Sequence, residues 1–315
     1  MKHLILCLAV IALLPLGVRA ETYAEKLGWP EGAKVLMIHA DDAGMSHASN
    51  LGVIATLEAG TVTSASVMMP CPWVPEFVAY LKDHPKVDAG VHITLTAEWD
   101  GYRWAPVAGR SAVPGLVDPA GCLHDNVPLV VQNATPTEFE AEIRAQIELA
   151  EKMGIDVTHI DSHMGTCYAT PEFFARYVKV AIEKQIPILI GAGRFSDDAE
   201  DSEIYKLLQP YLVKLWDAGL PVLDTIDSRS YDWKNLDTRK QKYIDMIRTL
   251  KPGVTWFNCH PTMGTEEGKA LSGNREILFS DYEVLVDPDV KKAIEEEGVI
   301  LTTWRELKQR RQAIK

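Results

Sequence analysis

Val35-Leu36-Met37-Ile38-His39 leads through Ala40 into the adjacent carboxylates Asp41-Asp42, and the reading of the 315-residue chain turns on that junction. The apolar run reads as a buried strand. Taken alone, Asp41 or Asp42 could simply cap the helix that follows. Ala48 to Glu58 supplies that helix, and Gly60, free to adopt positive φ, stops it.

The same alternation continues downstream. Thr61 to Met69 is a second β-rich run, closed by Pro70, Pro72 and Pro75 before a short helix around Phe77 to Lys82, and Ala89 to Ile93 is a third strand. Thr137 opens a strong helical pattern, with Glu140 at capping-box spacing, Ile143, Ile147 and Ala150 on one face, and Gly154 at its end. Val157 to Ile160 leads to Asp161-Ser162-His163, and Thr170-Pro171 starts a helix through Ile182. Strands at Ile186 to Ile190, Pro221 to Ile226, Val254 to Cys259 and Val299 to Thr302 alternate with helices at Ile204 to Trp216, Thr238 to Leu250 and Asp289 to Glu297. Repeated βα units predict a single α/β domain over residues 21–315, built as a β/α barrel related to the TIM barrel, with a doubly wound open sheet as the competing architecture. Glu98 to Thr135, rich in Gly, Pro and Trp, is long for a connector and reads as a lid or binding loop, with Trp99, Tyr102 and Trp104 able either to face sugar rings or to pack the loop down.

Bulk properties narrow the function. Lys2, the apolar run Leu4 to Leu16 and the small residues Val18 and Ala20 read as a signal peptide over residues 1–20, which predicts an exported protein, periplasmic or extracellular, without a stable membrane span after processing. Removing Lys2 and Arg19 from 32 basic residues leaves 30 against 44 acidic ones, a net charge of −14 with no basic block, which argues against a nucleic-acid partner. Cys71, Cys122, Cys167 and Cys259 form no close pair and are read as free thiols as readily as disulfides.

The polar residues that matter recur at strand exits: Asp41-Asp42, His92, Asp161-Ser162-His163 and His260. Barrel and open α/β folds gather their sites there. Two imidazoles and one carboxylate can hold a divalent ion with a position left open, which makes Asp42, His92 and His163 the strongest ligand set. Asp41 then remains to accept a proton from water, His260 to donate one, and Asp161 to orient a ligating imidazole. Zn suits this donor set best, with Mg, Mn, Co and Ni also compatible. His39 lies too near its strand end for alternation to settle its role, and His47, His84, His124 and His159 read as local polar residues.

With IHADDAG at Ile38 to Gly44, TVTSASVMM at Thr61 to Met69, GVHITLT at Gly90 to Thr96, DSHMGT at Asp161 to Thr166 and CHP at Cys259 to Pro261, the chain resembles the YdjC-like family, which includes chitooligosaccharide deacetylases. The resemblance implies a distorted β/α barrel, Asp41 as base, Asp42, His92 and His163 as metal ligands, His260 as acid, and hydrolysis of acetamido groups on an amino sugar or oligosaccharide. The chain departs from the pattern at Met164-Gly165-Thr166, where a further histidine is usual, at Thr262 in place of glycine, and after Ile186-Pro187, where Arg194 arrives late as a candidate substrate contact.

Competing readings are a metal-dependent hydrolase of another amide or of a carbohydrate ester, an inactive exported glycan-binding protein, and a structural metal protein, the last requiring a closed four-ligand site. If the leader is processed as read, intact-mass analysis of the protein exported by a host expressing the full chain gives Glu21 as its first residue; a retained Met1 contradicts it.

Overall fold

The computed structural model describes residues 20–192, 203–271 and 275–314. β1 (Lys34–Ala43) is the central strand, and every named ladder in its sheet is parallel. The other strands are β2 (Ser64–Val67), β3 (Ala89–Ile93), β4 (Val157–Ser162), β5 (Thr225–Asp227), β6 (Gly253–Cys259) and β7 (Ile300–Leu301). Their order is β4-β3-β2-β1-β6-β5, with β7 wedged against the start of β1 at Val35 and Leu36. Single parallel bridges from Ile160 to Ile188 and from Gly191 to Leu223 carry the curled sheet around from β4 toward β5, the layout of a distorted β/α barrel. The strand expected at Ile186 to Ile190 is therefore reduced to bridges, in keeping with Pro187, which has no N–H to give a ladder.

Helices wrap the sheet: α1 (Tyr23–Lys26), α2 (His47–Ala59), α3 (Val74–Asp83), α4 (Val127–Asn133), α5 (Pro136–Met153), α6 (Pro171–Lys184), α7 (Glu203–Asp217), α8 (Arg239–Arg248), α9 (Glu266–Ala270), α10 (Arg275–Leu285), α11 (Pro288–Glu296) and α12 (Trp304–Ala313). α5 corrects the expected start: its cap is Thr135, in a capping box with Glu138 rather than Thr137 with Glu140. Glu140 instead gathers Arg144, Arg176 and Lys179 between α5 and α6. Within the long loop, α4 is a helix that the composition did not announce.

Two apolar clusters separate along the strands with period two. Leu36, Ile38 and Ala40 join the larger cluster beneath the helices, whereas Val35 and Met37 pack inside the barrel with Val254, Trp256, Leu223 and Trp304. The lower end is tied shut by buried carboxylates: Asp224 accepts from the amides of Tyr23, Ala24 and Val254, and Asp88 from those of Trp304 and Arg305 at the start of α12. All four described cysteines are free, and no helix among the described residues is long and apolar enough to cross a membrane.

At the upper end α2 presses on the turn after β6. A Cβ on Gly52 would lie 2.3 Å from the Pro261 carbonyl oxygen, with backbone as the obstacle. Gly52→Ala is accordingly expected to destabilise the fold by about 1–3 kcal/mol through overpacking, although alanine is worth about 1 kcal/mol more than glycine in an unstrained helix. Urea unfolding checks the sign, and a stabilised variant contradicts the close approach.

Candidate metal and catalytic site

Inward positions near the strand ends change from apolar to polar. His39 and Asp41 follow Met37 on β1; Ser64 and Ser66 lie on β2, Gly90 and His92 on β3, His159 and Asp161 on β4, and Asn258 on β6. Gly90 is required, since a Cβ there would meet the His159 carbonyl oxygen at 2.4 Å and its ring at 2.5 Å. β1 then breaks its own alternation. Its register to β2 shifts between Ala40 and Ala43, and Asp42 takes φ 64°, a left-handed conformation that costs a non-glycine residue energy and recurs at functional sites. Asp41 and Asp42, adjacent in sequence, consequently both line one cavity of 860 Å³.

On its floor Asp42 Oδ1 lies 3.5 Å from His92 Nε2 and 3.5 Å from His163 Nδ1, and the two nitrogens are 3.3 Å apart. Metal–ligand bonds of about 2.0–2.2 Å in tetrahedral array put donor atoms about 3.4 Å apart, so these groups fit three corners around one divalent ion. Asp42 Oδ1 is buried without a well-formed hydrogen bond, as a ligand oxygen would be. Burial opposes ionisation of Asp42, but His163, His260 and His92 outweigh it and hold the carboxyl below its usual range.

The far nitrogens of both imidazoles are occupied. His92 Nδ1 meets Asp161 Oδ1 at 2.8 Å, a contact that the sequence left open, and His163 Nε2 meets Glu98 at 2.9 and 3.1 Å. Carboxylates so placed fix the tautomer and the aim of a ligating ring. For His163 burial lowers the pKa, but Glu98 and Asp42 prevail and push it up to about 10. A deeper group, His39, His159 and Asp161, also brings possible donors together. It is a poorer fit for a catalytic ion, because neither His39 nor His159 lines the cavity and both His39 nitrogens already meet the Ser64 and Ser66 hydroxyls; Asp161 and Asp41 overcome burial to push the His39 pKa up to about 9.

Beside the three donors, Asp41 Oδ2 accepts from Asn258 Nδ2 at 3.2 Å and lies 3.3 Å from His260 Nε2. Burial would raise the Asp41 pKa, but His92, His260 and His39 hold it well below the usual carboxylate value. For His260 burial disfavours the charge, yet Asp41, Asp42 and Asp281 raise its pKa. Tyr231 packs edge-on against the His260 ring with centroids 4.5 Å apart. Behind them Asp281 accepts the His260 amide and the Tyr243 hydroxyl and pairs with buried Arg239, whose Nη1 donates to the carbonyls of Ser230 and Trp233.

The structure thus brings together Asp41, Asp42, His92, His163, Asp161 and His260. Trp99 and Tyr102 line the cavity, and the Tyr102 hydroxyl is tied to the Met45 carbonyl. Trp104 does not line it: it is buried and donates its indole N–H to Thr96 O at 2.8 Å, so it packs the loop down. Arg194 lies outside the described residues. Sequence reasoning missed Glu98, His39, Asn258 and Tyr231 as contributors. The inward parity shared by His39 with Asp41 was a usable signal, whereas Tyr231 offered none.

A family model described as YdjC-like protein matches residues 35–296. The chain belongs to the YdjC-like family. A carbohydrate deacetylase of Brevibacillus brevis is 33% identical over 277 residues that span 86% of this chain and 99% of the relative. A chitooligosaccharide deacetylase of Proteus mirabilis is 25% identical over 289 residues, 87% and 99% of the two chains. The crystal structure of an Enterococcus faecalis protein, described as a candidate for cellobiose-phosphate cleavage, superposes with a TM-score of 0.73 at 27% identity, covering 87% of this chain and 99% of that one.

Removing Asp281 strands the buried Arg239 charge. Asp281→Ala is expected to cost about 3–5 kcal/mol, as for other buried pairs broken on one side. Denaturant titration measures it, and a loss below about 1 kcal/mol, the size of an exposed pair, contradicts this role.

Proposed function

We propose that this protein hydrolyses the N-acetyl group of an amino sugar or oligosaccharide, in a reaction that depends on one divalent metal ion. The observation that carries the reading is the convergence of Asp42 Oδ1, His92 Nε2 and His163 Nδ1 within 3.5 Å of one another on the floor of an open cavity, with Asp41 and His260 beside them. Deacetylase relatives that this chain covers almost end to end support the choice of substrate. Three donors facing a cavity suit catalysis better than the closed four-donor set of a structural site.

Asp42, His92 and His163 would hold the ion, which when bound supplies Lewis acidity toward the acyl oxygen and makes water more acidic. Zn is the first expectation, and Mg, Mn, Co and Ni share the same donor chemistry. Asp41, held ionised by the surrounding imidazoles, is free to take the proton from the attacking water. Asn258 keeps the Asp41 carboxylate turned toward the cavity. His260, whose raised pKa favours the charged ring, gives its proton to the departing nitrogen as the C–N bond breaks, so that water and amide become acetate and a free amino sugar. Tyr231 limits the tilt of that ring. Trp99 and Tyr102 offer flat surfaces where a sugar ring can stack. The same proposal places the protein outside the cytoplasm, after loss of residues 1–20.

The test is acetate release from short N-acetylated glycans by purified protein, stripped of metal and reloaded with defined ions. Asp41→Asn is expected to keep the bound metal but lose about 10²–10⁴-fold in kcat, the usual worth of a general base. His92→Ala and His163→Ala should lose both metal and turnover. Full activity in metal-free protein would contradict the proposal.

A further inference from the structure

Beneath the cavity floor the acidic and imidazole groups form an alternating chain that joins His92, Asp41 and His260 through His39, a residue the reaction as derived does not use. His92 Nδ1 meets Asp161 Oδ1 at 2.8 Å; Asp161 Oδ2 meets His39 Nε2 at 3.0 Å; the same His39 nitrogen lies 3.2 Å from Asp41 Oδ1; and Asp41 Oδ2 lies 3.3 Å from His260 Nε2. His39 is the middle link. We propose that His39 is a positioning residue, which holds Asp41 and Asp161 at one fixed separation and so keeps the proton acceptor in register with the metal-binding imidazole of His92. The inference rests on the function proposed above, and it concerns a residue that neither lines the cavity nor reaches substrate.

Its own placement is over-determined. The side chain is fully buried, with Nδ1 3.0 Å from Ser64 Oγ and Nε2 3.1 Å from Ser66 Oγ, both on β2. The His159 ring meets it edge-on at 4.9 Å, and the Trp256 ring packs at 5.3 Å. Strand, hydroxyls and rings leave the imidazole no second orientation. Two carboxylate oxygens converge on one of its nitrogens, and neither receives a well-aligned hydrogen bond, so the contact is chiefly ionic. Without a cation between them, two buried anions repel and each favours turning away or taking up a proton.

The neighbouring His159 cannot substitute. Burial, and then the adjacent His39, push its pKa well below the ordinary value, so it stays neutral. A lysine at position 39 would bring the charge on a long flexible stem, whereas the short planar imidazole meets both carboxylates from a fixed ring. Asp161 passes this restraint to His92, and Asp41 carries it into the cavity. Loss of His39 is therefore felt on both sides, in metal affinity and in turnover, without removal of any group that touches substrate.

The experiment compares wild type with His39→Gln, in which an uncharged amide replaces the ring. Zn²⁺ affinity is measured by competition with a chromophoric chelator, and kcat and KM for acetate release are measured at saturating Zn²⁺. His39→Gln is expected to bind Zn²⁺ about tenfold more weakly and to lose about 10–100-fold in kcat, with KM changed by less than about threefold. A residue that merely fills space would lower the melting temperature alone, and Zn²⁺ affinity and kcat both within about threefold of wild type overturn the proposal. Should His39→Gln fail to fold, Ser64→Ala keeps the imidazole and its charge but frees Nδ1; it must lower kcat at least about fivefold at unchanged KM, and a wild-type kcat overturns the proposal. If the wild type releases no acetate, the deacetylase reading falls, while the Zn²⁺ affinity of His39→Gln still decides the role of His39.

Discussion

β1 pairs with β2, β6 and β7, and the cavity depends on how its last residues leave those ladders. A strand in strict alternation would send Asp41 into the barrel and Asp42 out toward the helices. The register shift beside β2 and the positive φ of Asp42 cancel that separation, at a cost of about 1–3 kcal/mol for a non-glycine residue. In return, one carboxylate stands among two imidazoles while its neighbour faces a third. The close approaches at Gly52 and Gly90 serve the same arrangement, by letting α2 reach the turn after His260 and letting His159 sit under His92.

Burying this much charge is costly unless every charge meets its opposite. The network sets its carboxylates against imidazoles throughout: Asp161 between His92 and His39, Asp41 between His39 and His260, and Glu98 behind His163. Away from the cavity, Arg239 and Asp281 repeat the pattern and tie His260 to the segment that carries Tyr231. The polar network therefore spans β1, β3, β4 and β6 together with α8 and α10, and the site is held by the barrel as a whole rather than by one loop.

Much of this was legible in the sequence because strand exits are local features. VLMIH before Asp41-Asp42, GVHI around His92 and the run into Asp161-Ser162-His163 each mark a buried strand and the polar residue at its end. Parallel folds collect such ends on one side. What escaped depends on contacts between distant segments. Glu98 reaches His163 across 65 positions, Trp104 finds the Thr96 carbonyl as acceptor only once the loop has folded back, and α4 is only 7 residues long. His39 was ambiguous because parity says which side a residue faces and nothing about the depth at which it meets Asp161. The segment from Ile186 to Ile190 had the composition of a strand, yet with Pro187 inside it only isolated bridges form.

The most direct measurement is anomalous diffraction at the zinc edge from crystals of the Zn²⁺-loaded protein. One peak is predicted, about 2.0–2.2 Å from Asp42 Oδ1, His92 Nε2 and His163 Nδ1, with its remaining face open to the cavity. A peak seated instead among His39, His159 and Asp161, or an ion enclosed by four protein donors, would contradict the account.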